Sequence, residues 1–498
     1  MPLKKKRRRR RFGLGISLLL ALLFSLPVVL PHLPFLDLPF FWDEAGQFVP
    51  AALDLYQRGA WIPRSATPNV HPPGVMAYLA AIWSVTGYSI AATRLAMLTL
   101  ASLAALVVFL LAVEMCQEVK GIPALVVIPL LCASPLFYTQ AMMAQLDLPA
   151  MLLTSLALLL FLKDKPGWTA AACTLLVLVK ETGLLVPLLF GGWLLAERRA
   201  RKAAWFLLPV AALGVWLLVL GRATGHVFGN SEFTRFNVFL LAHPVRMATA
   251  MGKRLYYLFF GGFHWIGTLG ILLAWWQPDT YRGRAWKLGG ALVTIHVVFF
   301  GLLGGAMLER YLLPVLPIVY IAMVAGWSWV PSRWRVAGQL ALIAGVGFSN
   351  FQNPPYPFPF ENNLAMADFV RLHVDAAQFL ERRYPTARVT SVWPATAEFS
   401  RPDFGYVRYR HPVRELPDFS RATLRSVDPA SVQVLVFYSR DWNPASSLMR
   451  IPQVAGFWRR FFGYREQASG AELEALLGLK VVGIWSRGGQ WIEVYAKP

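Results

Sequence analysis

Charged side chains are scarce in this sequence: Asp, Glu, Lys and Arg make up 15% of its 498 residues, against about 25% in an ordinary soluble protein. That scarcity excludes a soluble enzyme. Cysteine is scarcer still: Cys116, Cys132 and Cys173 are the only three, in or beside apolar runs and at no metal-ligand or disulfide spacing. They read as small hydrophobes, so neither a zinc centre nor a redox function is expected. Acids are outnumbered, 27 Asp and Glu against 48 Lys and Arg, for a net charge of +21. Nucleic acid is not the implied partner, because the densest basic block, Lys4 to Arg11, stands directly before an apolar stretch. Such a block holds the start of a first membrane helix in the cytoplasm. No small-x-small cleavage site follows that stretch, so a removed signal peptide is not expected.

Apolar residues are abundant, at 56%, and the mean hydropathy is +0.48. They fall in many separate runs, each long enough to cross a hydrocarbon core of about 30 Å at about 1.5 Å per residue. After a first span from Gly13 to Leu30, further spans are expected near 93–114, 121–138, 148–162, 167–180, 183–196, 203–221, 255–276, 288–306, 312–330 and 336–350. The fold class is therefore a polytopic α-helical membrane protein with about eleven transmembrane helices. Loops such as ERRARK and YRGRAWK carry the short-loop Lys and Arg expected on the cytoplasmic side. The 222–254 segment, with Arg222, Arg235, Arg246, Lys253 and Arg254, breaks that rule and points weakly to an anionic ligand outside.

Three regions follow: a cytoplasmic basic tail (1–12), a membrane domain (13–350) with its first outer loop at 32–92, and an extracytoplasmic α/β domain (351–498). The last begins after a Pro- and Asn-rich linker, NPPYPFPFENN. A helical pattern at about 366–384, strand-like VTSVW, VQVLVFYS, KVVGIWSR and QWIEVYA, and a helix near AELEALLGL fill it.

The chemistry-bearing residues gather at span ends on one face. Asp43 and Glu44 follow the first span, at the head of a helix-patterned EAGQFVPAALDLYQRG that suits the membrane surface. Their alternative role is to charge the start of that helix. Asp147 precedes Pro149 and could equally be an N-cap. Lys180 and Glu181 interrupt an apolar stretch, and Glu309, Arg310 and Tyr311 open another span. Ionisable groups there are costly and face a polar cavity or a partner. A purely structural ion-pair network is the competing reading. Their convergence suits a lipid-linked phosphate held by cations while a carboxylate takes a proton from an acceptor hydroxyl. Because phosphate is a good leaving group, a second carboxylic acid is not required.

The ordered set resembles the GT-C glycosyltransferases: Asp43-Glu44, then HPPGVMAYLAAIWSVTGYSIAATRLAML, Asp147, VLVKETGLLVPL and RYLLPVLP. Within that superfamily it is similar to the protein O-mannosyltransferase and lipid A aminoarabinose transferase (ArnT-like) group. The resemblance implies transfer of a sugar from a polyprenyl-phosphate donor on the outer face of the cytoplasmic membrane, usually with inversion and no required metal or other cofactor. The acceptor would be a glycolipid, lipid A, a polysaccharide or a protein hydroxyl. It implies Asp43 as the general base, with Glu44 as the alternative base or a donor-orienting partner. Asp147 would line the cavity, with Lys180, Arg310 and Tyr311 facing the lipid phosphate and His71 of the HPPG turn contacting sugar or phosphate. Glu181 belongs to the same substrate-binding set. The competing functions are a lipid-linked polysaccharide polymerase or ligase, a lipid flippase, and a non-catalytic assembly protein. Bound Mg²⁺ or Mn²⁺ is the alternative to metal-free chemistry.

Overall fold

The computed structural model describes residues 14–117, 119, 121–239, 242–277, 281–303, 307–352, 361–440 and 448–498. The basic tail and residues 353–360 of the linker lie outside the described residues. Helices dominate up to Phe348, and a five-stranded sheet follows.

Among the described residues, three helices are long and apolar enough to cross a bilayer unaided: Ile90–Met115, Ala200–Thr224 and Arg284–Leu303. Two bent pairs raise the number to five, and six shorter apolar helices of 10–17 residues accompany them. Helices stand at the expected positions, but three to five of them, rather than about eleven, are long and apolar enough to span, and several are broken. The run expected at 121–138 splits into Pro123–Ala133 and Pro135–Met142, bent by 67°. Pro135 has no N–H to give the helix, so the break falls at Ser134. The carbonyl freed there is not left bare: Ala133 O accepts from Asn350 Nδ2 at 2.7 Å, and Ser134 Oγ accepts from Tyr320 at 2.9 Å. Inside a bilayer such irregular backbone persists only where protein groups satisfy it. The run expected at 255–276 likewise becomes Pro244–Phe259 and Gly261–Trp275, bent by 44°.

A third break carries chemistry. Helix Pro166–Val179 stops at Lys180, whose backbone is extended, and the chain restarts as Glu181–Leu184 and Leu185–Ala196. Beside it packs helix Gly74–Thr86; a Cβ on Gly74 would lie 2.4 Å from the Leu178 carbonyl oxygen, so the last residue of HPPG must be glycine for this approach. The surface helix expected after the first span forms as a π-helical turn, Glu44–Phe48, running into Val49–Arg58.

The C-terminal domain holds helix Ala365–Arg383 and strands β1 (Val389–Val392), β2 (Val413–Leu416), β3 (Val434–Tyr438), β4 (Lys480–Arg487) and β5 (Gln490–Ala496). Their order is β2-β1-β3-β5-β4, parallel across β2, β1 and β3 and antiparallel through the β4–β5 hairpin. Strand β2 and helix Pro452–Phe462 were not foreseen, being short and half-exposed. The domain sits directly on the first outer loop. Phe40 N donates to Phe404 O at 3.2 Å, Tyr406 donates to Phe40 O at 3.0 Å, and Trp42 meets Trp393 edge-on at 4.7 Å. One hydrophobic core runs through both parts.

Candidate active site

Asp43 stands at the N-cap of the π-helical turn, directly after Trp42, whose φ of 47° is left-handed. A bulky residue there stores strain of about 1–3 kcal/mol and persists only where packing enforces it. Phe369 and Trp393 of the C-terminal domain supply that packing, and the kink aims Asp43 away from Glu44.

The two neighbours part completely. Glu44 is fully buried against Arg94, with contacts of 2.5 and 3.2 Å, and also accepts from Phe41 N and Ala144 N at 3.0 and 2.6 Å. Asp43 instead pairs with Arg310, and so do Asp147, 3.5 Å from Nε, and Glu361, 2.9 Å from Nη1. The other Asp147 oxygen accepts from Lys180 Nζ at 2.5 Å. Asp147 is the first residue of helix Asp147–Leu162 and makes no side-chain cap; its carboxylate is spent on cations. Lys180 Nζ lies 4.3 Å from the centre of the Tyr311 ring, which stacks on Phe300 at 5.2 Å. Asp43, Asp147, Lys180, Arg310 and Tyr311 therefore meet, as their span-end positions suggested.

His71 and Glu181 form an adjoining pair, Nδ1 to carboxylate 2.7 Å, with His71 N accepted by Asn69 Oδ1 at 3.0 Å. They adjoin the cluster through the Lys180–Glu181 peptide and through the charge of Lys180. Glu309 turns to Lys253, at 2.9 Å.

Two members were missed. Arg254, read only as one charge in a basic segment, is buried to 3% exposure on Pro244–Phe259 within electrostatic reach of Tyr311 and Glu309. Its Nη1 donates to Ala250 O at 3.0 Å, while Nε and Nη2 have no partner among the described residues. Glu361 arrives from the start of the C-terminal domain. Gln145 Nε2 donates to its carboxylate at 2.7 Å, and Thr139 and Gln140 hold its backbone carbonyl at 3.1 and 3.0 Å. Burial pushes the Glu361 carboxyl up to about 8; Arg310 pulls the other way, and the charges of Asp43 and Asp147 add to the rise. Nothing in a Pro- and Asn-rich linker marks such a residue, and only the docking of the domain reveals it.

Residues 71–383 match the family model of a predicted membrane protein, DUF2079. The chain belongs to the DUF2079 family. The matched stretch of this DUF2079 protein includes every cluster residue except Asp43. No curated protein matches the sequence. Among solved structures, it is similar to ArnT from Cupriavidus metallidurans bound to undecaprenyl phosphate, at 14% identity and a TM-score of 0.52, over 97% of this chain and 98% of that one. It is also similar to the Archaeoglobus fulgidus oligosaccharyltransferase in complex with zinc and sulfate, at 13% identity and a TM-score of 0.52, over 84% of this chain and 67% of that one. At these identities the likeness concerns architecture: the DUF2079 protein has the GT-C fold, in a membrane, with a small C-terminal sheet domain.

Proposed function

We propose that this protein is a glycosyltransferase that moves a sugar from a polyprenyl-phosphate donor to a hydroxyl acceptor at the outer face of the cytoplasmic membrane. The observation that carries this reading is a carboxylate set against buried cations: Asp43 on Arg310, beside Lys180, with Arg254, two of whose donors have no partner among the described residues, within electrostatic reach of Tyr311. A buried cation without a full set of partners calls for an anion. The ArnT structure that shares the fold holds undecaprenyl phosphate, which supports a lipid phosphate as that anion.

Asp43 keeps 16% of its side-chain surface exposed, more than Asp147 at 3% or Glu361 at 7%, and so is the acid an acceptor can reach. In the proposed step its carboxylate takes the proton of the acceptor hydroxyl, and the oxygen attacks the anomeric carbon. The bond from that carbon to the phosphate oxygen breaks, and the polyprenyl phosphate leaves with charge that Lys180, Arg254 and Arg310 offset. A single displacement inverts the anomeric centre. Glu44 has no free lone pair facing the cluster, which leaves the base role to Asp43 and gives Glu44 a structural one. His71 and Glu181 flank the donor.

The test is consumption of a panel of polyprenyl-phosphate sugars by the purified protein in liposomes supplied with acceptor lipids and membrane proteins, with Asp43→Asn and a chelator in parallel. Turnover of one donor that the variant loses and the chelator spares supports the reading. No consumption of any donor overturns it.

A further inference from the structure

Glu361 is the one cluster member that the C-terminal domain contributes. Its carboxylate lies 2.9 Å from Arg310 Nη1, while Arg310 Nη2 holds Asp43 and Nε faces Asp147 at 3.5 Å. Each guanidinium nitrogen thus has a different acid as its nearest, with hydrogen-bond geometry on the Asp43 side and charge contact alone on the sides of Glu361 and Asp147. The planar fork of arginine transmits orientation: fixing one nitrogen fixes the plane and with it the other two. Glu361 is itself anchored from three sides, through Gln145, Thr139 and Gln140. Three acids share Arg310 in a buried site, and their mutual repulsion is relieved by a proton on one of them.

We infer that Glu361 is a positioning residue: delivered by the C-terminal domain and held by Gln145, it sets the plane of Arg310, and so the orientation of the Asp43 carboxylate, while the site holds its anionic donor. This rests on the proposed donor chemistry. The charged or titratable groups facing Glu361 are Arg310 and Tyr311 from the turn Glu309–Leu312, Asp43 from the first outer loop and Asp147 from its own helix. Because Glu361 titrates at about 8, ionisation above that pH places a further negative charge beside an anionic ligand. The donor is a phosphodiester whose single charge is constant over this range, so a change in its affinity reports the protein.

The experiment measures donor KM and kcat from about pH 6 to about pH 9 in liposomes for wild type, Glu361→Gln and Glu361→Ala. Infrared absorption of protonated carboxyl groups is read on the same preparations and on Asp43→Asn. Wild-type donor KM should rise by about tenfold across the titration of Glu361. Glu361→Gln, neutral at every pH and similar in shape, should lose that rise. Glu361→Ala, which frees Arg310 to turn, should lower kcat by about tenfold with a smaller change in KM. A carboxyl band that titrates near pH 8 should vanish in Glu361→Gln, and its midpoint should fall by about one pH unit in Asp43→Asn. An alkaline rise in KM that survives in Glu361→Gln, or a band unchanged by either substitution, overturns the inference. A wild type that consumes no donor yet shows the coupled band removes the glycosyl-transfer reading and retains the Glu361–Arg310–Asp43 linkage.

Discussion

Two consecutive acids of this chain, Asp43 and Glu44, each face a buried arginine, and the two pairs differ in almost every other respect. Glu44 and Arg94 are matched one to one. Both side chains are fully buried, and the two terminal nitrogens of Arg94 also donate to the carbonyls of Met142, Leu38 and Pro39, while its Nε has no partner among the described residues. That pair is closed, tying the first outer loop to Ile90–Met115 and to the chain just before Asp147. Arg310, by contrast, is divided among three acids, and Arg254, within electrostatic reach of Tyr311, has two donors without a partner among the described residues. Burial of charge alone does not mark a site; one buried cation shared among several acids does.

The largest expected effect separates the two acids directly. Asp43→Asn should lower turnover by about 10²- to 10⁴-fold, the usual worth of a general base, while the melting temperature changes little. A variant that loses stability in step with activity would assign Asp43 to structure, as Glu44 is.

Next in size is the closed pair. Arg94→Met leaves a buried carboxylate unpaired and should cost about 3–5 kcal/mol of stability, seen as a fall in the melting temperature in detergent. Adding Glu44→Gln removes the stranded charge and should recover most of that loss, together with activity. The corresponding double change at Asp43 and Arg310 should fold and stay inactive. Recovery of activity there would erase the distinction between the pairs.

Within the open cluster, Lys180→Met should raise donor KM by about tenfold to a hundredfold with a smaller effect on kcat, since the ammonium binds phosphate through charge-assisted bonds. A fall in kcat with KM unchanged would place Lys180 on the reacting atoms instead.

The convergence of Asp43, Asp147, Lys180 and Arg310 was legible because ionisable groups in an apolar chain are few, and span parity assigns each to one face. The division of labour between Asp43 and Glu44 was not. Adjacent residues on a helix diverge, but which one turns inward depends on the left-handed Trp42, a backbone state no side-chain pattern announces. Arg94 is a lone cation in an otherwise apolar span, and a fully buried arginine needs an acid somewhere, but the sequence does not say which. The interruption at Lys180 is visible as a charged pair in an apolar stretch, but the break at Ser134 is hidden inside the run 121–138, since hydropathy averages over a kink. Glu361 depends on a contact across more than 200 residues of chain, which neither period nor charge can anticipate.

A third acid on the same helix, Asp54, gives the smallest effect and a control for both pairs. Its carboxylate is closed in the manner of Glu44, but by backbone: it accepts from the Arg64 and Ser65 amides at 2.7 and 2.6 Å and from Ser65 Oγ at 2.9 Å, with Arg58 one turn away at 3.2 Å. Burial works against the charged form, yet these amides and hydroxyl outweigh it, and Asp54 titrates below the ordinary aspartate range. A carboxylate whose folded value is depressed stabilises above its unfolded value, about 3.9, and loses that contribution as pH falls through the folded one. Asp54→Asn should therefore cost about 1 kcal/mol at neutral pH. The difference from wild type should shrink as pH drops below about 4. The same titration applied to Glu361 runs the opposite way, because there burial wins. Melting curves in which Asp54→Asn matches wild type at pH 7 would mean that the loop from Arg58 to Ser65 is held by its apolar contacts, and that closure by backbone amides adds nothing at this surface.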